Sequence, residues 1–242
     1  MELILLDVDG TLTDTARVDA ECFVQAVSDV FGISDVDTDW SVYPDTTDAA
    51  IASHLVQQVH GKFPSPTEIA ELRDRFLVLL RAAIGSDASR CRPIPGGPAF
   101  VRTLVESPAF SVAIATGGWE ESARFKLERA GYNISDVPMA SSSDATRRTE
   151  ILALAAQRAS AAAGDGSFSA ITYVGDGIWD ARAAAALGHR FIGRGDPTTS
   201  GLVAEGAERV VRDFSDVDGL LRLITRTEST GSQVQSTKYQ AP

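Results

Sequence analysis

Two aspartates stand two positions apart near the amino terminus, after a short apolar run at residues 3–6. The segment reads Asp7-Val8-Asp9-Gly10-Thr11. Two acids this close stay ionised only when a cation neutralises them, and carboxylate oxygens suit Mg²⁺. With the metal bound, Asp7 could attack phosphorus while Asp9 passes protons to and from the leaving oxygen. Gly10 would let the backbone turn closely beneath the phosphate. The alternative is an acidic turn without chemistry.

A second pair of aspartates follows the β-rich run at residues 171–174, in the segment Gly175-Asp176-Gly177-Ile178-Trp179-Asp180. Asp176 could be a third metal carboxylate, and Asp180 lies one helical turn later, so both would face the same site. A capped helix start can contain the same residues. The segment therefore supports a metal site only together with the first one.

A phosphoryl group also needs hydrogen-bond donors, and a third segment offers them. Ala115-Thr116-Gly117-Gly118-Trp119 follows the run at residues 112–115. The hydroxyl of Thr116 and backbone N–H groups at a helix start, such as that of Gly117, can hold phosphate oxygens. An ordinary Thr-Gly turn is the structural alternative.

A fixed cation is required on the side of the phosphate away from the metal. Arg147 and Arg148 open the helix that follows the run at residues 137–140. Adjacent helical residues point about 100° apart, so only one of them should reach the phosphate. We favour Arg148, which stands three residues before Ile151 at the mouth of the helix. Arg147 is then a solvated surface charge.

Six short β-rich runs alternate with helical patterns, an order typical of a parallel sheet flanked by helices. The predicted strands are residues 3–6, 112–115, 137–140, 171–174, 190–192 and 209–211. The helices predicted between and after the later strands are residues 97–106, 120–130, 149–162, 178–187 and 216–224. We therefore expect an α/β fold with a Rossmann-like three-layer core, in which ligands bind at the carboxyl ends of the strands.

The stretch at residues 15–94 differs, because it contains no convincing strand and helical patterns cover 17–31, 48–60 and 67–84. We predict an all-helical domain here, called the helical insertion below. The turn-rich segment Pro93-Ile94-Pro95-Gly96-Gly97-Pro98 marks the return to the core and predicts a hinge. The core would then comprise residues 1–14 and 95–226, with a flexible Ser, Thr and Gln-rich tail at 227–242.

Substrate choice is expected to depend on the helical insertion, which can exclude water when closed over the site. Its most polar and aromatic stretch contains Trp40, Tyr43, Asp45, Thr46, Thr47 and Asp48. The same stretch could be only a loop with a helix cap at Thr47 or Asp48.

Composition limits the partners and the location. The 242 residues, 44% of them hydrophobic, can bury a core plus a smaller inserted domain. The net charge of −11 disfavours nucleic acid and anionic membrane as partners. No apolar stretch approaches the roughly 20 residues of a membrane helix. Cys22 and Cys91 fit neither a disulfide framework nor a metal pair. We expect a cytoplasmic protein, and a monomer is consistent with the sequence.

Together and in this order, the four segments resemble those of the haloacid dehalogenase-like superfamily, over about residues 1–225. The helical insertion resembles that superfamily's α-helical cap, of the kind found in β-phosphoglucomutase-like phosphatases. The resemblance implies that Asp7 is the nucleophile. It also implies that Asp9 is the general acid and base and a metal ligand through its carbonyl, that Asp176 completes the Mg²⁺ shell and that Asp180 supports it.

By the same resemblance, Thr116, Gly117 and Arg148 would bind the phosphoryl group. One segment departs from the pattern. Many relatives carry a Lys-Pro pair where this chain reads Thr146-Arg147-Arg148-Thr149-Glu150. Either arginine could replace that lysine, with Arg148 favoured.

The resemblance implies a Mg²⁺-dependent phosphatase, a phosphoric monoester hydrolase that acts on a small phosphorylated metabolite through an aspartyl-phosphate on Asp7. A phosphomutase of the β-phosphoglucomutase type would use the same aspartate but return the phosphoryl group to a sugar. The core segments fit both enzymes. A phosphoacceptor signalling domain also pairs acids with a threonine, a cation and Mg²⁺, but such domains have about half this length and lack a helical cap.

Overall fold

The computed structural model describes residues 1–164, 166–207 and 209–225. The tail predicted at residues 227–242 lies outside the described residues. The described part contains six strands: β1 (Glu2–Leu6), β2 (Phe110–Ala115), β3 (Met139–Ala140), β4 (Ile171–Gly175), β5 (Arg190–Arg194) and β6 (Arg209–Val211). They form one sheet in the order β3-β2-β1-β4-β5-β6, and every pairing is parallel. The predicted parallel α/β fold is confirmed.

The central strand β1 pairs with β2 on one side and β4 on the other, with Ile4 opposite Val112 and Thr172. A doubly wound sheet with this order has its topological switch point at β1, where a crevice forms at the carboxyl ends of the strands. The segments that follow β1, β2 and β4 therefore meet at the carboxyl-end edge of the sheet.

Alternation along β1 divides the core into two layers. Ile4 and Leu6 pack into one apolar cluster, whereas Leu3 and Leu5 pack into the other, and all four are fully buried. Successive strand residues point to opposite faces, so a strand that is apolar throughout must be covered on both sides. This accounts for the helices above and below the sheet.

Within the described ranges, eight helices surround or extend the sheet. They are α1 (Ala16–Phe31), α2 (Asp48–His60), α3 (Pro66–Ser86), α4 (Gly97–Glu106), α5 (Glu120–Arg129), α6 (Arg148–Ala162), α7 (Ile178–Ala186) and α8 (Val217–Ile224). The first three, with two short 3₁₀ turns at Trp40–Val42 and Ala88–Arg90, make up the helical insertion between β1 and β2. None of the described helices is long and apolar enough to cross a membrane.

Local signals explain where the helices of the insertion begin. Ser65 and Glu68 form a capping box at the start of α3, and Pro66 occupies its first turn. The helix therefore starts at Pro66, one residue before the predicted start. Thr47 caps α2 by accepting from the backbone of Ala50.

The helical insertion shares an apolar cluster with the core. Trp119, which precedes α5, is almost fully buried and packs against Phe23 of α1 and Phe76 of α3, with ring centroids 6.1 and 5.5 Å apart. Burial of an aromatic side chain of this size contributes strongly to docking.

The third strand is shorter than predicted. The prediction covered residues 137–140, but only Met139 and Ala140 pair with β2. Pro138 has no N–H to donate to the ladder, although its carbonyl accepts from Ile114 at 2.8 Å.

Gly96 lies in the turn-rich segment at residues 93–98 and provides a test of how closely that segment packs. Its φ is +77°, and a Cβ there would lie 2.3 Å from the carbonyl of Phe214. Gly32 has a similar φ of +69°, but a Cβ would meet nothing within 4 Å. The left-handed conformation alone costs about 1–2 kcal/mol for an alanine. We expect Gly96→Ala to lower the free energy of unfolding by at least about 2 kcal/mol more than Gly32→Ala, in urea titrations. Equal losses would contradict the close packing.

Candidate active site

A cavity of about 160 Å³ lies at the carboxyl ends of the central strands, between the sheet and the helical insertion. At its inner end are residues that follow β1, β2 and β4, together with the first residue of α6. They are Asp7, Asp9, Thr116, Gly117, Gly118, Arg148 and Asp176. All four segments predicted from the sequence thus contribute to one cavity.

Asp7 stands at the end of β1 and is only 5% exposed. Its Oδ2 accepts from the Thr11 hydroxyl at 3.1 Å. Burial, and next the charge of Asp180, raise the pKa of Asp7 well above its usual range, against the opposing effect of Arg148. A carboxylate in this position requires a cation to become fully charged.

Asp9 turns its carboxylate away from Asp7 and is held from two sides. The Thr15 hydroxyl donates to its Oδ1 at 2.6 Å, and the Lys126 ammonium donates to its Oδ2 at 2.5 Å. Lys126 is completely buried and also bonds Asp19 of α1 at 2.5 Å. Burial lowers the pKa of Lys126, but Asp19 and Asp9 outweigh it and raise that pKa above its usual range. The acid therefore lies in a charged cluster that joins β1, α1 and α5.

The sequence predictions did not include Lys126 or Asp19. Lys126 lies on the same face of α5 as the buried residues Ala123 and Leu127. A charged residue on an apolar helical face is a signal that it has a buried partner. That signal was available in the sequence, although the partner was not.

Asp176 and Asp180 follow β4, and their oxygens lie with those of Asp7 in a group whose members are all within 4.8 Å of one another. Burial, and next Asp180, raise the pKa of Asp176 to about 7. Gly10 makes this approach feasible, because a Cβ there would lie 1.9 Å from Asp176 Oδ2.

The oxygens of Asp180 are already occupied by protein groups. Oδ1 accepts from Tyr173 and from Arg148, each at 2.9 Å, and Oδ2 accepts from the backbone of Gly177 at 2.9 Å. Asp180 therefore holds Tyr173, Arg148 and the Gly177 backbone in place, while Asp7 and Asp176 remain available to a cation.

A hard divalent cation fits this donor set. A buried carboxylate, Asp7, and a partly buried one, Asp176, lie side by side with raised pKa values, and an oxygen-preferring ion such as Mg²⁺ would neutralise them. Asp7 and Asp176 could hold it through carboxylate oxygens. Asp9 could contribute only its carbonyl, because its carboxylate is engaged by Lys126 and Thr15.

Arg148 and Arg147 differ sharply in position. The side chain of Arg148 is 11% exposed, and its Nη1 lies 3.5 Å from Asp7 Oδ1, while Nη2 donates to the Thr46 carbonyl at 2.9 Å. Arg147 is exposed and precedes the first residue of α6. The geometry thus places Arg148 at the cavity and leaves Arg147 outside it.

Thr116 and Gly117 lie beside Arg148. Thr116 is buried, and its hydroxyl oxygen accepts from the backbone of Gly118 at 3.2 Å. A Cβ at Gly117 would lie 2.3 Å from Arg148 Nη2 and 2.7 Å from the Thr46 carbonyl. Only glycine leaves room for the arginine and the helical insertion to meet here.

The polar and aromatic stretch of the helical insertion is divided between two sites. Trp40, Thr46 and Asp48 line the cavity, whereas Tyr43 and Asp45 line a separate surface depression. Thr47 is the helix cap, and its hydroxyl also donates to the Thr146 carbonyl at 2.7 Å. Part of this stretch therefore lines the cavity and part forms the helix cap, while its role in substrate choice stays a prediction.

Comparison with known proteins identifies the family. The family model of haloacid dehalogenase-like hydrolases matches residues 1–188. The chain belongs to this family of hydrolases. Among curated proteins, none matches the chain in sequence.

Solved structures with this fold are similar over nearly the whole chain. A hydrolase from Pseudomonas syringae is 18% identical, with a TM-score of 0.72 and coverage of 93% of this chain and 100% of that one. CbbY from Rhodobacter sphaeroides, in complex with phosphate, is 20% identical, with a TM-score of 0.67 and coverage of 90% and 96%. A phosphonoacetaldehyde hydrolase-like protein from Oleispira antarctica is 15% identical, with a TM-score of 0.65 and coverage of 92% of each chain. At these identities the likeness shows the fold.

The two arginines can be separated by kinetics. We expect Arg148→Ala to slow phosphoester hydrolysis about a hundredfold, since loss of a charge-assisted contact in a desolvated site costs on the order of 3 kcal/mol in the barrier. Arg147→Ala, the matched control, should stay near the wild-type rate. Steady-state kinetics with p-nitrophenyl phosphate, after thermal melts confirm that both variants fold, provide the measurement. A large loss of rate confined to Arg147→Ala would show that Arg147, and not Arg148, is the phosphate-binding cation.

The pKa values also predict how stability depends on pH. Burial, and next Asp9, raise the pKa of Asp19 to about 6, and the pKa of Asp176 is about 7. The native state thus holds protons that the unfolded chain releases near pH 4, so metal-free stability should fall between about pH 4 and pH 7.

Urea unfolding in EDTA across this range measures the effect. Asp176→Asn should reduce the decline, and Mg²⁺ should stabilise the wild type more at about pH 8 than at about pH 5. Metal-free stability that rises over the interval would contradict the assignment.

Proposed function

We propose that this hydrolase is a Mg²⁺-dependent phosphatase that acts on a small phosphorylated metabolite through an aspartyl-phosphate on Asp7. One observation carries the proposal. Asp7 Oδ1 lies 3.5 Å from the buried Arg148 guanidinium, and the Asp7 carboxyl shares a metal-competent cluster with Asp176. A nucleophile placed between a metal site and a fixed cation suits phosphoryl transfer.

In the first step, a carboxylate oxygen of Asp7 attacks phosphorus and the bond from phosphorus to the leaving oxygen breaks. Asp9 supplies the proton that the leaving oxygen needs. In the second step, water attacks phosphorus, Asp9 takes its proton, and the bond between phosphorus and the Asp7 oxygen breaks to release phosphate. Mg²⁺, when bound, would offset the negative charge of the carboxylates and of the phosphoryl oxygens.

The phosphoryl oxygens would be held by the groups opposite the metal site. Arg148 provides the charge, while the Thr116 hydroxyl and the Gly117 backbone N–H provide hydrogen bonds. Thr116 and Arg148 are both largely buried, so these contacts would be strengthened by the low local dielectric.

The helical insertion would serve as a cap domain over residues 15–94, with the core at 1–14 and 95–226. The start of α2 touches the core directly, through the Asp48 N–H to the Gly117 carbonyl at 2.9 Å and through Arg148 to Thr46. The two connecting segments run side by side, with the Asp14 N–H bonded to the Arg92 carbonyl at 2.8 Å. Such a pair of crossings can work as a hinge that closes the site and excludes water.

Two observations support the proposed substrate class and the proposed cytoplasmic location of the protein. A mutant of CbbY from Rhodobacter sphaeroides, 19% identical with a TM-score of 0.67, was solved in complex with xylulose-(1,5)bisphosphate, a small phosphorylated molecule. Cys22 and Cys91 are buried free thiols, in keeping with the reducing cytoplasm. The concave cavity beneath the helical insertion favours an enzyme over a phosphoacceptor signalling domain.

The nucleophile can be tested by an isosteric change. Asp7→Asn should abolish hydrolysis of p-nitrophenyl phosphate, because the amide is a poor nucleophile. Without metal, the free energy of unfolding should stay the same or rise, since one of several clustered acids is removed.

Metal dependence provides the companion measurement. EDTA should stop wild-type turnover and excess Mg²⁺ should restore it, whereas Zn²⁺ should substitute poorly at a site without His or Cys ligands. For the nucleophile test, Glu121→Gln on the exposed face of α5 is the matched control for Asp7→Asn and should retain activity. Turnover by Asp7→Asn at the wild-type rate would disprove the mechanism.

A further inference from the structure

One part of the cavity wall is formed by residues of the helical insertion. We call this the outer end, and a leaving group attached to the bound phosphate would extend into it. It is lined by Ala16, Asp19, Phe23, Trp40, Asp48 and Ile51. Within the described ranges, this lining contains two carboxylates and two aromatic rings but no lysine, arginine or histidine.

The two carboxylates of the outer end are not equivalent. Asp19 is paired with Lys126 at 2.5 Å. Asp48 accepts one hydrogen bond, from the Trp119 N–H to its Oδ2 at 3.0 Å. No basic group of the described residues lies within ion-pair distance of Asp48. Of the two acids at the outer end, Asp48 is therefore the one without an ion-pair partner among the described residues.

The surroundings of Asp48 make an unpaired charge costly. Burial, and next Asp19, raise the pKa of Asp48 well above its usual range. A positive group placed beside Asp48 would stabilise its ionised form and so offset both the burial and the repulsion from Asp19. The rings of Phe23 and Trp40 lie at the same end, with centroids 5.8 Å apart and planes nearly perpendicular. Aromatic rings beside a carboxylate form a favourable environment for an ammonium group.

A second anionic group on the substrate would be repelled at the outer end. A phosphomutase must hold the other phosphate of a bisphosphorylated sugar, but the outer end presents two carboxylates to that phosphate. The cation beside Asp19, Lys126, is fully buried and already paired with Asp9 and Asp19. Like charges brought together in a desolvated cavity repel strongly. The lining therefore disfavours bisphosphates and phosphorylated carboxylic acids as substrates.

On the basis of the proposed function, we propose that the substrate is a small phosphate monoester whose leaving group carries an ammonium group and no second anion. Asp48 would bind that ammonium group beside the contacting rings of Phe23 and Trp40. A neutral hydroxyl would satisfy the hydrogen-bonding capacity of Asp48 but leave its charge unpaired. The cavity of about 160 Å³ limits the leaving group to a few atoms.

Three phosphate esters with two-carbon leaving groups test the charge preference. They are 2-aminoethyl phosphate, 2-hydroxyethyl phosphate and phosphoglycolate, whose terminal groups are positive, neutral and negative. We expect kcat/KM with Mg²⁺ to fall in that order, with about tenfold between the first two, as for a desolvated charge contact. Equal values, or a preference for phosphoglycolate, would overturn the proposal.

Asp48→Asn separates charge from hydrogen bonding, because the amide oxygen can still accept from the Trp119 N–H. It should lower kcat/KM for 2-aminoethyl phosphate about tenfold while changing that for 2-hydroxyethyl phosphate less than about twofold. Asp35→Asn, an exposed acid of the same insertion, is the matched control and should alter neither value. Equal losses on both esters would show that Asp48 has only a structural role and would overturn the proposal.

Hydrolysis of p-nitrophenyl phosphate with Mg²⁺ distinguishes failure of the substrate inference from failure of the proposed function. If the wild type hydrolyses it but shows no preference for the ammonium ester, the substrate inference fails and the phosphatase stands. If it hydrolyses none of the four esters, the proposed function fails and the inference fails with it.

Discussion

The structure depends on holding several carboxylates close together at the end of a buried strand. The oxygens of Asp7, Asp176 and Asp180 all lie within 4.8 Å of one another, and burial raises the pKa of the first two. Such a cluster is unfavourable unless cations offset it. Among the described residues, Arg148 pairs with Asp180 of the cluster, and Lys126 pairs with Asp9, two positions after Asp7. The remaining excess of negative charge is what makes the site competent for a divalent metal.

The two cations also connect the helical insertion to the core. Arg148 bonds the Thr46 carbonyl, and Lys126 bonds Asp19 of α1. The groups that offset charge at the site are therefore those that the insertion contacts when it covers the cavity. The contacts of the insertion with the core and the charge balance of the site depend on the same side chains, so a substrate that alters the charge of the cavity would also affect how firmly the insertion is held.

Much of this arrangement is encoded locally and could be predicted. Each predicted site residue lies directly after a strand or at a helix start, where sequence pattern fixes its place, and the parallel sheet then brings the strand ends together. Arg148 could be preferred over Arg147 from helical register alone. The contacts of Lys126 could not be predicted, because Asp9 and Asp19 lie 117 and 107 residues away and meet it only through tertiary packing. The same holds for Asp48, whose position over the cavity depends on how the insertion docks.

The central claim is that the phosphoryl group passes through Asp7. The most direct test is the stereochemical course at phosphorus, followed with a phosphate ester made chiral by oxygen isotopes and a thio-substitution. Two successive in-line displacements, first by Asp7 and then by water, predict net retention of configuration. Inversion would show that water attacks the substrate directly, and it would contradict a phosphorylated Asp7.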